Sequence, residues 1–414
     1  MKRAFVWLAT GLLFVVLPII FNSDSALSEL NMMCIMIVFA LSYNVLFGQT
    51  GLLSFGHAVF FGLSGFAVVN AITAIGSSHL PIPLPLLPLL GGIVGWLFGL
   101  LLGAVATRRS GTAFAMITLG IGELVLSFAP ILNSYFGGES GVATDRTKVL
   151  PLFGVNFASQ LQAYYLIASW CLISMIVLHW ITRTPFGRLC NAVRENPERA
   201  DFIGYDVHRI RFMSFTVASF FGGVAGGLAA INFEIMSVDN LGGLQSAWVL
   251  FMTYIGGAGS FYGPVIGAIL ISLMQFSLPD ITPGWQLYFG LFFIVMVMYA
   301  PGGIAGLLRM HEPLWRARLL HRMLPSYLLV TLPVLIMCVG ISLMIEMSFT
   351  WSMQSGNGTL LKFVGVQINA ASPLVWISAV MLFAVGAFLL RRLMPRVANA
   401  WASATHESQR RAGL

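Results

Sequence analysis

The residues able to do chemistry in this chain are few, and they sit in apolar company. The stretch GQTGLLSFGHAVFFGLSGF, which begins at Gly48, is greasy overall yet holds Gln49, Thr50, Ser54 and His57 among several glycines. An amide, two hydroxyls and an imidazole can hydrogen-bond a small polar solute, or can tie one helix to its neighbours. His57 is cheap to bury when neutral, so a satisfied core histidine competes with a solute contact. Glu123, in MITLGIGELVLSFAP, is the one acid well inside an apolar run. A carboxylate at that depth costs roughly 3 kcal/mol unless paired or wet, which fits a pathway or interface residue as well as a hydrogen bond between helices.

Other chemistries find no support. There is no GxxxxGK[ST] loop, no HExxH and no GxSxG, so phosphate, zinc and acyl-transfer sites have no sequence basis. The seven histidines are dispersed, and Cys34, Cys171, Cys190 and Cys338 show no CxxC spacing. They read as small packing residues, with no metal and no cofactor held by this chain.

The elements that must position these residues are membrane helices. The chain has 414 residues, 58% hydrophobic and 9% charged, with mean hydropathy +0.87. Soluble domains run near a quarter charged, so an all-α polytopic membrane protein is expected. At roughly 20 apolar residues per span, about 10–12 transmembrane helices are predicted. They fall near 4–21, 30–47, 52–75, 86–107, 112–132, 162–182, 211–231, 246–258, 262–279, 284–300, 327–347 and 373–390. The opening apolar run is long and no small-x-small site follows it, so it reads as a retained span.

Glycine marks where spans break. Gly48, Gly51 and Gly56, and later Gly256, Gly257, Gly263 and Pro264 in IGGAGSFYGPVIGA, make discontinuous or re-entrant helices the expectation around 48–66 and 246–268. Interrupted helices expose backbone groups that can meet a solute, while small residues also let helices pack closely.

The net charge of +7 orients the chain instead of recruiting nucleic acid. Arginines collect on alternate loops, which places 183–210, 301–326 and both termini on the cytoplasmic side. Within 183–210, Asn196, Pro197 and Glu198 spell a helix start and Gly204 a stop. The short helix between them mixes Arg194, Glu195, Glu198, Arg199 and Asp201, a face suited to a protein partner more than to lipid.

These segments also resemble a known family. GQTGLLSFGHAVFFGLSGF is similar to the signature of LivM-type permeases of branched-chain amino-acid ABC transporters. AMITLGIGELV, FGGESGV, GRLCNAVRENPERADFIGYDVHRI, IGGAGSFYGPVIGA and APGGIAGLL follow in the family's order. The resemblance covers about residues 30–310.

It implies a subunit without its own ATPase, importing small solutes by alternating access, with branched-chain or other hydrophobic amino acids as substrate. Urea, short amides and aromatic acids are the alternatives, and an ATP-independent secondary transporter or channel the rival class. The implied partners are a homologous second permease in a heterodimer, two cytoplasmic ATP-binding subunits carrying ATP and Mg, and a periplasmic or extracellular solute-binding protein. The implied location is the inner membrane of a prokaryote.

By analogy 194–204 contacts the ATPase, and 48–62 with Glu123 lies at the path. The chain is expected to divide into a permease core at 1–322, an extension with two more spans at 323–392, and a frayed cytoplasmic tail at 393–414. Typical family members end soon after the PGGI segment, so the extension is a departure.

Overall fold

The computed structural model describes residues 2–78, 82–149, 151, 156–353, 360–363, 366–370 and 372–412. Part of the 133–160 loop therefore lies outside the described residues. The chain is almost entirely helical: α1 Lys2–Ile20, α2 Asp24–Asn44, α3 Ala58–Ser78, α4 Leu87–Ala106, α5 Thr112–Phe128, α6 Asn133–Phe136, α7 Gln160–Arg183 and α8 Pro185–Glu195. There follow α9 Pro197–Phe202, α10 Val207–Phe233, α11 Gly243–Gly256, α12 Tyr262–Ile281, α13 Trp285–Tyr299, α14 Gly303–Arg316, α15 Leu320–Met353 and α16 Pro373–Ala412. Among the described residues, two short antiparallel ladders interrupt the helices. One pairs β1 (Val142–Ala143) with β2 (Ile235–Met236), the other β3 (Leu360–Phe363) with β4 (Val366–Asn369).

Among the described residues, eight helices are long and apolar enough to cross a membrane, or up to ten if each bent pair is one span. The chain is thus a multi-pass membrane protein. Several expected spans change form. Of the first helix, Lys2–Ile20, the stretch Phe5–Ile20 is apolar. The expected span at 112–132 is α5, followed by a 92° bend into Asn133–Ser140. The one at 284–300 is α13, bent by 43° from α14. The predicted span at 52–75 starts only at Ala58, because 51–57 is not helical. At 14 residues, α11 is about 21 Å long and cannot bridge a hydrocarbon layer of about 30 Å alone.

The described chain packs as two units. The first holds Met1–Met274 and Pro301–Ala305, and α10 is its axis, lying against α2, α3 and α4. Asp206 caps α10 by accepting the Arg209 N–H at 2.9 Å. Glycines on the α4 and α10 faces make that contact close: a Cβ at Gly95 would overlap the Ser219 carbonyl, and one at Gly223 the Gly91 carbonyl. Small residues are what permit such backbone approach between apolar helices.

The 133–160 loop is tied to the end of α10 by a side chain that composition alone counts as a mere loop charge. Arg146 is 4% exposed. It donates to the carbonyls of Phe157, Ile231 and Ala158 and pairs with Glu234 at 3.1 Å. A buried guanidinium survives only when its donors are met in this way.

The second unit holds Gln275–Ala300 and Gly306–Leu414, with α15 and α16 packed along each other. Here the expected frayed tail is corrected. Residues 393–412 continue α16, whose 40 residues reach about 60 Å. Ala404 is buried with Leu314, Leu319 and Met323, and Trp401 and Tyr327 pack beside them. That apolar contact holds a polar-looking segment in helix. The expected boundary at 322/323 follows sequence resemblance, whereas the packing division falls elsewhere; the two mark different things.

Candidate functional site

The glycine-rich stretch is a break between two helices. After α2 the chain widens into a π-turn over Val45–Gln49, a local feature often found at functional positions. Gly51 then takes φ +75°, a conformation costly for residues with a Cβ. The chain runs irregularly to Gly56 before α3 begins. Neighbouring helices satisfy its backbone: Phe55 N–H donates to Thr118 Oγ1 at 3.2 Å, and Ala58 N–H to Ser246 Oγ at 2.9 Å.

The second break lies between α11 and α12. Gly257 has φ +110°, and Ser260 Oγ accepts the Gly263 N–H at 3.0 Å to open α12. Pro264 falls in the first turn of α12, where its missing N–H has no helical partner to lose. The two breaks meet. A Cβ at Gly48 would overlap both the Ala258 carbonyl and the Asn44 side chain, and Asn44 Nδ2 lies 3.5 Å from the Ser260 carbonyl. Gly48, Gly256, Gly257 and Gly263 thus belong to one backbone junction.

The segment 183–210 reaches into this junction. Its short helix forms as the sequence spells it: Asn196 Oδ1 accepts the Arg199 N–H at 2.9 Å, Pro197 opens α9, and Gly204 ends the turn at φ +95°. What sequence reasoning missed is α8, an 11-residue helix capped by Thr184. Cys190 and Val193 of α8 share a small core with Ala200 of α9 and Ile210 of α10. From α8, Asn191 Nδ2 donates to Gln49 Oε1 at 2.9 Å, and Arg194 Nη1 donates to the Gly48 carbonyl. Thr50 and Ser214 hydroxyls lie 2.5 Å apart, and both reach the Val45 carbonyl at 3.1 Å. Burial pushes the Cys190 thiol up to about 11, against the opposing pull of those two hydroxyls.

Gln49, expected on a path, and Arg194, expected on a partner, therefore join the same structure. Glu195, Glu198, Arg199 and Asp201 are exposed, with Pro197 half-buried. A further feature unread in the sequence is the apolar tip of this segment. Phe202 is 96% exposed and Ile203 69%, and the only sequence signal is two large apolar residues inside a charged loop.

Ser54 and His57 are enclosed. Ser42 Oγ spends its proton on the Phe39 carbonyl at 2.7 Å, so His57 donates from Nε2 to Ser42 Oγ at 2.9 Å. Its ring stacks on Phe39 and meets Tyr43 and Phe60 edge-on. That tautomer leaves His57 Nδ1 a buried lone pair without a partner among the described residues; Asn44 Oδ1 and Ser54 Oγ are likewise unmet there. Glu123 is apart from this group. It lies on an exposed side of α5 together with Met116, Gly120 and Ser127. Among the described residues, no three His, Cys, Asp or Glu side chains gather in a metal-holding group.

Comparison with known proteins completes the description. The family described as "Branched-chain amino acid transport system / permease component" matches residues 25–301. The chain is 27% identical to the high-affinity branched-chain amino acid transport system permease protein LivM of Salmonella typhimurium, over 67% of this chain and 69% of the relative. It is 23% identical to the corresponding permease BraD of Pseudomonas aeruginosa, over 64% and 90%. It is also 27% identical to the guanosine ABC transporter permease NupQ of Bacillus subtilis, over 50% and 74%. No solved structure matches. Membership implies ATP-binding and substrate-binding partners in general. With a broken-helix junction inside the matched segment, and both breaks falling where family-like motifs stand, the chain belongs to the branched-chain amino-acid permease family of ABC transporters.

Proposed function

We propose that this chain forms one half of the membrane pathway of an ATP-driven importer for branched-chain or other hydrophobic amino acids. Its partners in this reading are a homologous second permease, two ATP-binding subunits carrying ATP and Mg, and a solute-binding protein on the opposite side. It would sit in the inner membrane of a prokaryote with both termini cytoplasmic.

The observation that supports the reading most is the reach of α8 from the exposed α9 to the Gly48 junction. The small core shared by α8 and α9 makes them move together. A push on α9 by a closing ATPase pair is then felt as a pull on the Gly48 carbonyl and the Gln49 amide. In this reading the π-turn and the second break rearrange together as access alternates. The unmet acceptors Asn44 Oδ1 and His57 Nδ1, with the Ser54 hydroxyl, are enclosed in this arrangement and in this reading meet a solute's N–H donors only when the junction opens. Glu123, on the exposed side of α5, is read as facing the second permease, where it gives an ammonium group an anionic partner. A permease of the same build for another solute is the second reading, favoured by similarity to a guanosine permease.

The test is leucine uptake into vesicles holding this chain and its partners. Uptake should stop when the ATP-binding subunits lose their phosphate-binding lysine; unchanged uptake would defeat the reading. Phe202→Ala should weaken co-purification with those subunits by about 2 kcal/mol, the scale of an interface anchor. Undiminished co-purification would remove α9 as the docking element.

A further inference from the structure

The second unit carries a cavity of about 740 Å³ that transport as read above does not use. His311 of α14, Tyr327 of α15 and Arg391, Met394, Val397 and Trp401 of α16 help to wall it. Its walls are mostly apolar, with three polar groups. His311 Nδ1 donates to the Leu307 carbonyl at 2.8 Å, so in the neutral ring Nε2 accepts the Tyr327 hydroxyl at 2.7 Å. The imidazole also meets Trp401 edge-on at 5.0 Å. The Tyr327 proton is thereby spent, and Arg391 is the cationic donor left facing the space.

No acid answers Arg391 among the described ion pairs. Glu312, beside His311, is held by Arg316, and Arg146–Glu234 belongs to the other unit. Arg392 points elsewhere, over the Phe388 ring at 5.4 Å. Arg391 also stands where the apolar run of α16 gives way to RRLMPR, the kind of composition change found where a span meets headgroups. Beside it, α14 exposes Leu307, Leu308, Met310 and Trp315 alongside Arg309 and Arg316, the composition of a helix lying in the headgroup layer.

We propose that this cavity binds the phosphate headgroup of an anionic phospholipid, with Arg391 as the phosphate ligand and Trp401 and Tyr327 as walls. Basic pockets at the cytoplasmic ends of membrane helices take such headgroups, and a guanidinium matches two phosphate oxygens at once. The inference stands apart from the solute and the ATPase. It gives the extension a role in anchoring α16 to the leaflet charge.

The test uses the full chain in mild detergent, with retained phosphatidylglycerol counted by native mass spectrometry against phosphatidylcholine. Losing a charge-assisted hydrogen bond should weaken phosphatidylglycerol retention by about tenfold in Arg391→Gln, with Arg391→Lys keeping part of it. Arg392→Gln should leave retention unchanged. Equal loss in both glutamine variants would mean diffuse surface attraction and overturn the site, as would full retention in Arg391→Gln. Displacement of the lipid by inorganic phosphate alone would assign the site to a soluble anion and overturn the phospholipid reading.

Discussion

Arg194→Gln is the perturbation that bears most directly on how this permease is coupled to its ATPases. The guanidinium donates to the carbonyl of Gly48, inside the π-turn and against the second break. A hydrogen bond to a charged group contributes about 1.5–3 kcal/mol when sheltered. The Arg194 side chain is largely exposed, so screening brings the value below that range, to about 1–1.5 kcal/mol. Each 1.4 kcal/mol is about a factor of ten, so solute moved per ATP hydrolysed should fall about five- to tenfold.

The assay is paired measurement of leucine uptake and phosphate release in vesicles with the partner subunits. ATP hydrolysis and the amount of folded permease should stay near wild type. Asn191→Ala, which removes the neutral bond to Gln49, should cost less. The double variant should fall short of the product of the two, because both act on one turn. Arg188→Gln, on the same helix and exposed, is the charge control. An unchanged uptake-to-ATP ratio in Arg194→Gln, or an equal fall in Arg188→Gln, would refute the link.

Gly48→Ala should lower thermal stability by about 1–3 kcal/mol, the cost of overpacking, since the Ala258 carbonyl it meets is backbone and cannot rotate away. Gly120→Ala, into open space on α5, should lose nothing in the same melting assay. The Cys190 thiol, held near 11 by burial, should be almost wholly protonated at pH 8. Its maleimide labelling in folded protein should therefore still rise about tenfold between pH 9 and pH 10, where an ordinary thiol levels off. A plateau by pH 10 would contradict the buried placement.

Local signals were the most legible. Asn196, Pro197 and Gly204 announced α9 because capping is decided within one turn, and hydropathy found the long spans. Helices end at both glycine-rich stretches, at Gln49 and at Gly256. Their meeting was not legible, because contact between residues 48 and 258 is set by how α2, α11 and α12 pack. For the same reason α8 read as loop: its helix is stabilised by Cys190 and Val193 packing against α9 and α10. Residues 393–412 looked like a frayed end because hydropathy cannot see that Ala404 and Trp401 have an apolar surface waiting on α14 and α15. His57 could be read either way from sequence; its neighbours Ser42, Phe39 and Tyr43 enclose it. No pattern in the sequence marks Arg146 as the buried clamp of the 133–160 loop.

The glycine seam between α4 and α10 has a consequence for biosynthesis. Its two sides are far apart in the chain, since α4 ends at Ala106 and α10 begins at Val207. At a synthesis rate of about 5–20 residues per second, the α4 glycines wait roughly 5–20 s in the membrane before their mate is made. Through that interval α4 must be retained by α3 or by the insertion machinery, or drift into lipid. Slowing translation between codons 107 and 206 should therefore lower the yield of assembled protein more than the same pause placed after codon 233.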